Sequence, residues 1–235
     1  MKVKIGFYAK THFPIIWNTQ TMPHLLLAGR TGGGKSILAT YIANQLLNGE
    51  NDVFLADYKA GGDWSEILKD DRYGEYKDCE RILNEFYNSF QNVLEKKEPV
   101  ATERFLIFDE LNSFMLSLDN KKFKEAMEKL GTIAFLGRSY KHFLILVGQN
   151  FSATVLNTSI REQMSVKLYL STQISTESQT MLFPNAEIDK SIRLPRFCGY
   201  ISMPDRELDV IQVPFISKPQ NLKKLLIQKG KMYYS

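Results

Sequence analysis

The sequence predicts an α/β fold with a largely parallel sheet covered by helices on both faces, and three observations carry that prediction. Short continuous apolar runs recur along the chain with amphipathic helical patterns between them, as strands buried on both faces require. The turn between one such run and the helix after it is GRTGGGKS, residues 29–36. Asp57, Asp109, Glu110 and Gln149 each fall at the end of an apolar run. They would therefore gather at the carboxyl edge of the sheet, where such folds bind ligands.

The elements follow in order. KVKIGFYA reads as a short strand and PHLLLAG as a second, which delivers the glycine-rich turn. Gly29, Gly34, Lys35 and Ser36 satisfy G-x-x-x-x-G-K-[ST], and the apolar helix SILATYIANQLL follows directly. That context makes the turn a P-loop. Residues without Cβ reach the positive-φ conformations that turn successive backbone N–H groups toward a phosphate. Lys35 is expected on the β and γ phosphates of ATP and Ser36 on Mg²⁺, with the positive end of the helix dipole aimed at the anion. The nucleotide-binding set is Gly29, Thr31, Gly32, Gly33, Gly34, Lys35, Ser36 and Ile37.

NDVFLADY is a third apolar run, ending at Asp57, after which KAGGDW breaks regularity. Asp57 and Lys59 either border the nucleotide or shape this loop. From residue 78 to 97, Ile82, Leu83, Phe86, Phe90, Val93 and Leu94 recur at three- and four-residue steps, an amphipathic helix stopped before Pro99. RFLIFDEL is a buried strand, KKFKEAMEKLGTIAFLGRSY is helical and HFLILVGQN is a further strand. SVKLYLST adds another, and CGYISM with DVIQVP forms a C-terminal hairpin around Pro204 and Asp205.

Asp109 and Glu110 leave the sheet beside the P-loop, a Walker B arrangement. Asp109 would hold Mg²⁺ through its hydration shell, and Glu110 would orient or deprotonate the attacking water. Acids here would equally suit the start of a helix, but a complete P-loop next to them favours the chemical role. Gln149 ends its own strand, so its amide would reach the γ-phosphate and report its presence.

Bulk properties set limits. A chain of 235 residues buries a full core as one domain. Its net charge of +4 permits a nucleic-acid partner without arguing for one. Cys79 and Cys198 have neither metal-ligand spacing nor scaffold density, and His12, His24 and His142 are scattered packing or surface residues. No apolar run approaches the ~18 residues of a membrane helix, and the start lacks a signal-peptide core. A soluble, cytoplasmic chain is expected.

MPHLLLAGRTGGGKS, RFLIFDEL and LGRSYKHFLILVGQN resemble the FtsK/SpoIIIE-type DNA translocases, within the wider group that includes HerA and the coupling ATPases of conjugation. The likeness continues through SIREQMSVKLYLST and SQTMLFPNAE to CGYISMPDRELDVIQVPFIS, so it runs from about residue 23 to 217. It implies a RecA-like motor domain over residues 1–217. It also implies double-stranded DNA as partner, a homo-oligomeric ring, usually a hexamer, and ATP hydrolysis between subunits. Arg138, 11 residues before Gln149, matches the family's arginine that reaches a neighbour's site, where a guanidinium would meet charge on the transferring phosphoryl group. Arg161 and Arg30 are weaker candidates for that environment.

Of the cell-division members' membrane segments, linker and winged-helix domain, none is expected from the residues that carry the resemblance. What matches is a bare motor domain, such as a plasmid, phage or integrative element would carry. The tail 218–235 is basic and either touches DNA phosphate or forms a solvated end. The channel-lining stretches are expected after Asp57 or from Leu111 to Lys124. Two other functions fit the same motifs: a viral genome-packaging ATPase, and a nucleotide-switched coupling or replication adaptor that recruits a protein partner and hydrolyses ATP slowly.

Overall fold

The computed structural model describes residues 1–49, 51–61, 64, 71–96, 101–204 and 206–214. The strands are β1 (Lys2–Tyr8), β2 (Pro14–Asn18), β3 (Leu25–Gly29), β4 (Asp52–Asp57), β5 (Tyr73–Glu75), β6 (Arg104–Asp109), β7 (His142–Val147), β8 (Val166–Leu170), β9 (Cys198–Ser202) and β10 (Asp209–Gln212). The helices are α1 (Lys35–Asn48), α2 (Cys79–Lys96), α3 (Leu111–Ser117), α4 (Asn120–Leu136), α5 (Thr158–Gln163) and α6 (Thr176–Leu182).

All described strands join one sheet in the order β2-β1-β10-β9-β8-β3-β7-β6-β4-β5. From β8 to β5 every pairing is parallel. From β8 outward through β9, β10, β1 and β2 every pairing is antiparallel. The parallel part needs helical crossovers, and these put apolar surface on both faces. Strand residues alternate accordingly. Leu25, Leu27, Phe105, Ile107, Phe143 and Ile145 pack with Leu38, Ile42 and Leu46 of α1. Leu26, Leu106, Phe108, Leu144 and Leu146 face the opposite way, onto Ile82, Phe86 and Phe90 of α2 and Leu130 and Ile133 of α4. Each such side chain, fully buried, contributes roughly 1.5–3 kcal/mol of hydrophobic stabilisation. A rigid sheet results, and the carboxyl ends of β3, β4, β6 and β7 open on one edge.

His24 and His142 are buried packing residues. The Leu144 N–H donates to His24 Nδ1 at 2.9 Å, so Nε2 carries the proton given to the Ala134 carbonyl at 3.1 Å. Burial lowers the pKa of His24 to about 4, which keeps the ring neutral.

Several elements differ in form from what the sequence pattern predicts. The helix expected through Tyr140 ends at Leu136, and residues 137–140 tighten into a 3₁₀ turn. The stretch from Leu111 to Lys124, expected to hold a channel-lining loop, is helical in α3 and again in the first turn of α4. Leu111, Phe114 and Met115 are buried there, and the Asp119 side chain caps α4 by accepting from Lys121 N and Lys122 N. β2 and β5 are strands that the apolar pattern left unread. The hairpin of β9 and β10 is present. Asp205 at its turn, the Gly62 region after Asp57 and the tail 218–235 lie outside the described residues.

Candidate active site

The P-loop leaves β3 and enters α1 at the open edge of the sheet. Gly29 lies so close to β8 that a Cβ there would sit 2.2 Å from the Leu170 carbonyl oxygen, which excludes any side chain. Gly34, the N-cap of α1, has φ +100 and offers no side chain to the first turn. The first-turn N–H groups of α1 are therefore uncapped by any side chain, as an anion site requires.

Lys35 is buried, and its Nζ donates to the Gly29 carbonyl at 2.8 Å and to the Arg30 carbonyl at 3.3 Å. Burial lowers its pKa, while the charges of Glu110 and Asp109 act to raise it. An ammonium in that position gains from a phosphate oxygen, because a charge-assisted bond would replace bonds to neutral carbonyls.

Asp57 and Asp109 are direct partners in the parallel pairing of β4 with β6. Asp109 is buried; its Oδ2 accepts from the Trp64 indole N–H at 2.9 Å and its Oδ1 from the Glu110 N–H at 3.0 Å. Burial pushes this carboxyl up, and the Trp64 bond acts against that shift by favouring the charged form. Asp57 is buried too, and its Oδ1 accepts from Ala60 N at 3.2 Å while Oδ2 has no hydrogen-bond partner among the described residues. Burial first, and then the neighbouring Asp109, raise its pKa from 3.8 to about 6.

Glu110 takes the left-handed conformation, φ 59 and ψ 39, at the N-cap of α3. This sharp bend turns the chain out of β6 and leaves the carboxylate at the sheet edge. Gln149 donates from Nε2 to Glu110 Oε1 at 2.7 Å, and its backbone N–H is fixed by Asn112 Oδ1 at 3.0 Å.

These groups line one cleft of about 470 Å³, which includes Thr31, Gly32, Gly34, Lys35, Ser36 and Ile37 of the P-loop segment. Asp57, Lys59, Asp109, Glu110 and Gln149 line the same cleft, so of the two readings left open for Asp57 and Lys59 the structure supports the border of the site. Gly29 and Gly33, also expected at the nucleotide, pack against the Leu170 backbone instead of lining the cleft. Three lining residues carried no sequence signal: Trp64, Arg196 and Phe197. Each joins the site through contacts between distant parts of the chain.

Arg138 stands elsewhere. It is exposed in the 3₁₀ turn that leads into β7, at the sheet edge opposite Gln149. Six residues of strand at ~3.3 Å each put about 20 Å between the two ends. Arg161 is engaged on α5, donating to Phe151 O and Thr158 Oγ1, and Arg30 is exposed in the P-loop.

Among the described residues, no group of three or more His, Cys, Asp or Glu side chains is arranged to hold a metal. The donors present, the Ser36 hydroxyl and the Asp109 carboxylate beside an anion cradle, instead suit a hard cation that arrives with phosphate and keeps much of its water.

Over 188 residues the chain is 27% identical to the FtsK domain-containing protein YdcQ of Bacillus subtilis (strain 168). The likeness is to an FtsK domain, and the fold is the α/β fold of P-loop ATPase domains. The match takes in 74% of this chain and spans 39% of the relative. No protein-family model matches this chain. Among solved structures, the pCW3 conjugation coupling protein TcpA with ATPγS superposes at a TM-score of 0.73 and 17% identity, covering 96% of this chain and 70% of TcpA. The cytoplasmic domain of the Thermomonospora curvata Type VII secretion ATPase EccC gives 0.66 and 18%, covering 92% and 26%. The genome-packaging NTPase B204 of Sulfolobus turreted icosahedral virus 2, with ATPγS, gives 0.57 and 16%, covering 83% and 98%. No helix among the described residues is long and apolar enough to cross a membrane.

Proposed function

We propose that residues 1–217 are the ATP-hydrolysing motor of a double-stranded DNA translocase, working as a homo-oligomeric ring, hexameric in its active form, and serving a mobile element. The observation that carries the proposal is the 2.7 Å contact of Gln149 with Glu110 beside the P-loop. A nucleotide-binding module needs no water-activating acid, and still less one tied to a polar residue on the neighbouring strand.

In this reading the uncapped first turn of α1 and the glycines of the P-loop take the phosphates. Lys35 exchanges the Gly29 and Arg30 carbonyls for β- and γ-phosphate oxygens. Ser36 and Asp109 hold Mg²⁺, which would supply neutralisation of the phosphate charge when bound. Trp64 orients the Asp109 carboxylate and favours its charged form against the effect of burial. Glu110 aligns the attacking water and accepts its proton, while Gln149 bridges the acid and the γ-phosphate. Arg138 lies too far from its own cleft to act there, which suits service at the cleft of an adjacent subunit.

The coupling function of TcpA and the genome packaging of B204 support nucleic acid as the cargo. Genome packaging is the second reading, favoured because this fold corresponds to 98% of the B204 chain. The basic tail 218–235 is assigned to DNA phosphate. The test is ATP turnover with and without duplex DNA across a salt series. Stimulation that fades steeply with salt is expected, since backbone contacts through Lys and Arg release counterions. Turnover indifferent to DNA would move the protein to the adaptor reading.

A further inference from the structure

The cleft has two chemically different sides, and the strand order explains them. β3, which carries the P-loop, lies inside the sheet. On one side of it, the ends of β7, β6 and β4 supply Gln149, Glu110, Asp109 and Asp57. On the other side come β8 and then β9, and the residues just ahead of β9 are Arg196 and Phe197, which also line the cleft. A ligand lying across the end of β3 meets acids and an amide at one end and a flat aromatic group at the other.

Phe197 is built into this place. Its φ of +62 is left-handed, a rare conformation for a bulky residue. Its carbonyl accepts from Val213 N at 2.8 Å, which pins it beside the strand end of β10. The edge of its ring rests on the P-loop: a Cβ added to Gly34 would lie 3.1 Å from Phe197 Cδ1. The residue nonetheless stays 39% exposed, unusual for a phenylalanine held so firmly. The Arg196 guanidinium carbon lies 5.6 Å from the ring centroid, within cation–π range. Ring and guanidinium together make a flat wall with donors and no acceptors.

We infer that Arg196 and Phe197 form the nucleobase platform of this cleft, and that they select a purine over a pyrimidine by stacking area. The inference rests on the nucleotide reading above and adds to it the part of the ligand that is not phosphate. Stacking is tolerant of base identity because every base has a π-face. ATP and GTP should therefore bind within a few-fold of each other, and CTP more weakly. Since Phe197 is fixed by Val213 and touches Gly34, the same residue would couple base occupancy to the β9–β10 hairpin.

The test measures binding alone. Wild type, Phe197→Ala and Phe197→Leu are titrated with ATP, CTP and inorganic tripolyphosphate in the presence of Mg²⁺, by calorimetry. Phe197→Leu keeps apolar bulk on Gly34 and removes the π-face, so it carries the test if melting shows Phe197→Ala to be unfolded. The expected result is a loss of ATP affinity of about tenfold or more in the variants, with tripolyphosphate affinity within twofold of wild type. The wild-type preference for ATP over CTP should shrink in parallel. Equal weakening of ATP and tripolyphosphate would mean that Phe197 only supports the P-loop, and unchanged ATP affinity in Phe197→Leu would overturn the platform outright. Wild type that binds neither ATP nor tripolyphosphate would overturn the nucleotide reading itself.

Discussion

Gln149 Nε2 lies 2.7 Å from Glu110 Oε1, joining the ends of two strands that are neighbours in the sheet. The bond constrains an acid whose backbone is already committed to a left-handed bend. It also ties the orientation of Glu110 to whatever else the Gln149 amide meets. A γ-phosphate oxygen beside Gln149 would compete for the same N–H groups, so bound nucleotide would give the pair a second hydrogen-bonded arrangement.

Gln149→Ala should therefore leave ATP affinity within about twofold and slow turnover by roughly 10- to 100-fold, since misplacement of a reacting group by about 1 Å has that order of cost. Binding by calorimetry and steady-state hydrolysis, measured together, decide it. A variant that loses affinity and keeps its turnover would assign Gln149 to binding alone.

Asp57 gives a stability prediction with a definite sign. Its pKa is raised from 3.8 to about 6 in the fold, so between those values the folded chain holds more protons than the unfolded one. Stability contributed by this group is present at low pH and is lost as pH rises through that window. Asp57→Asn should accordingly stabilise the nucleotide-free protein at pH 7.5, by up to about 3 kcal/mol, and by little near pH 4. Denaturant unfolding at both pH values checks it; a variant less stable at pH 7.5 would contradict the assigned burial cost.

Much of this site was legible in the sequence because its parts are local. A P-loop is one turn with fixed spacing. Phe105 to Phe108 form an apolar run that announces a strand buried on both faces, and Asp109 and Glu110 are simply where it ends. What the chain order could not give are contacts between remote segments. Trp64 reaches Asp109 from a stretch without periodicity, and Phe197 meets Gly34 only because β8, the neighbour of β3, pairs with β9. Short elements were lost for a related reason. In β2 only Ile15 and Trp17 face inward, too few to establish alternation, and in β5 a single residue of three is buried. Arg138 was singled out by likeness alone, and its place at the far edge of its own sheet turns that likeness into a prediction about assembly.

If Arg138 serves a neighbouring subunit, Arg138→Ala should bind ATP normally and hydrolyse it about 10³-fold more slowly or worse. Mixing Arg138→Ala with Glu110→Gln protein should restore part of the single-turnover rate, because some interfaces then pair an intact Glu110 with an intact Arg138. Absence of rescue in assemblies shown to be mixed would mean that Arg138 acts within its own chain or not at all.

Lys35 and Glu110 divide grip from chemistry within one cleft. The measurement is ATP binding and single-turnover hydrolysis in Lys35→Ala and Glu110→Gln, each compared with wild type. Lys35→Ala should bind ATP much more weakly, because a buried ammonium no longer meets the phosphates. Glu110→Gln should bind ATP as wild type does and hydrolyse it at a rate lower by two or more orders of magnitude, about the contribution of a positioned general base. Near-normal single-turnover hydrolysis by Glu110→Gln would contradict the assignment of Glu110 as the water-activating acid, and with it the proposed mechanism.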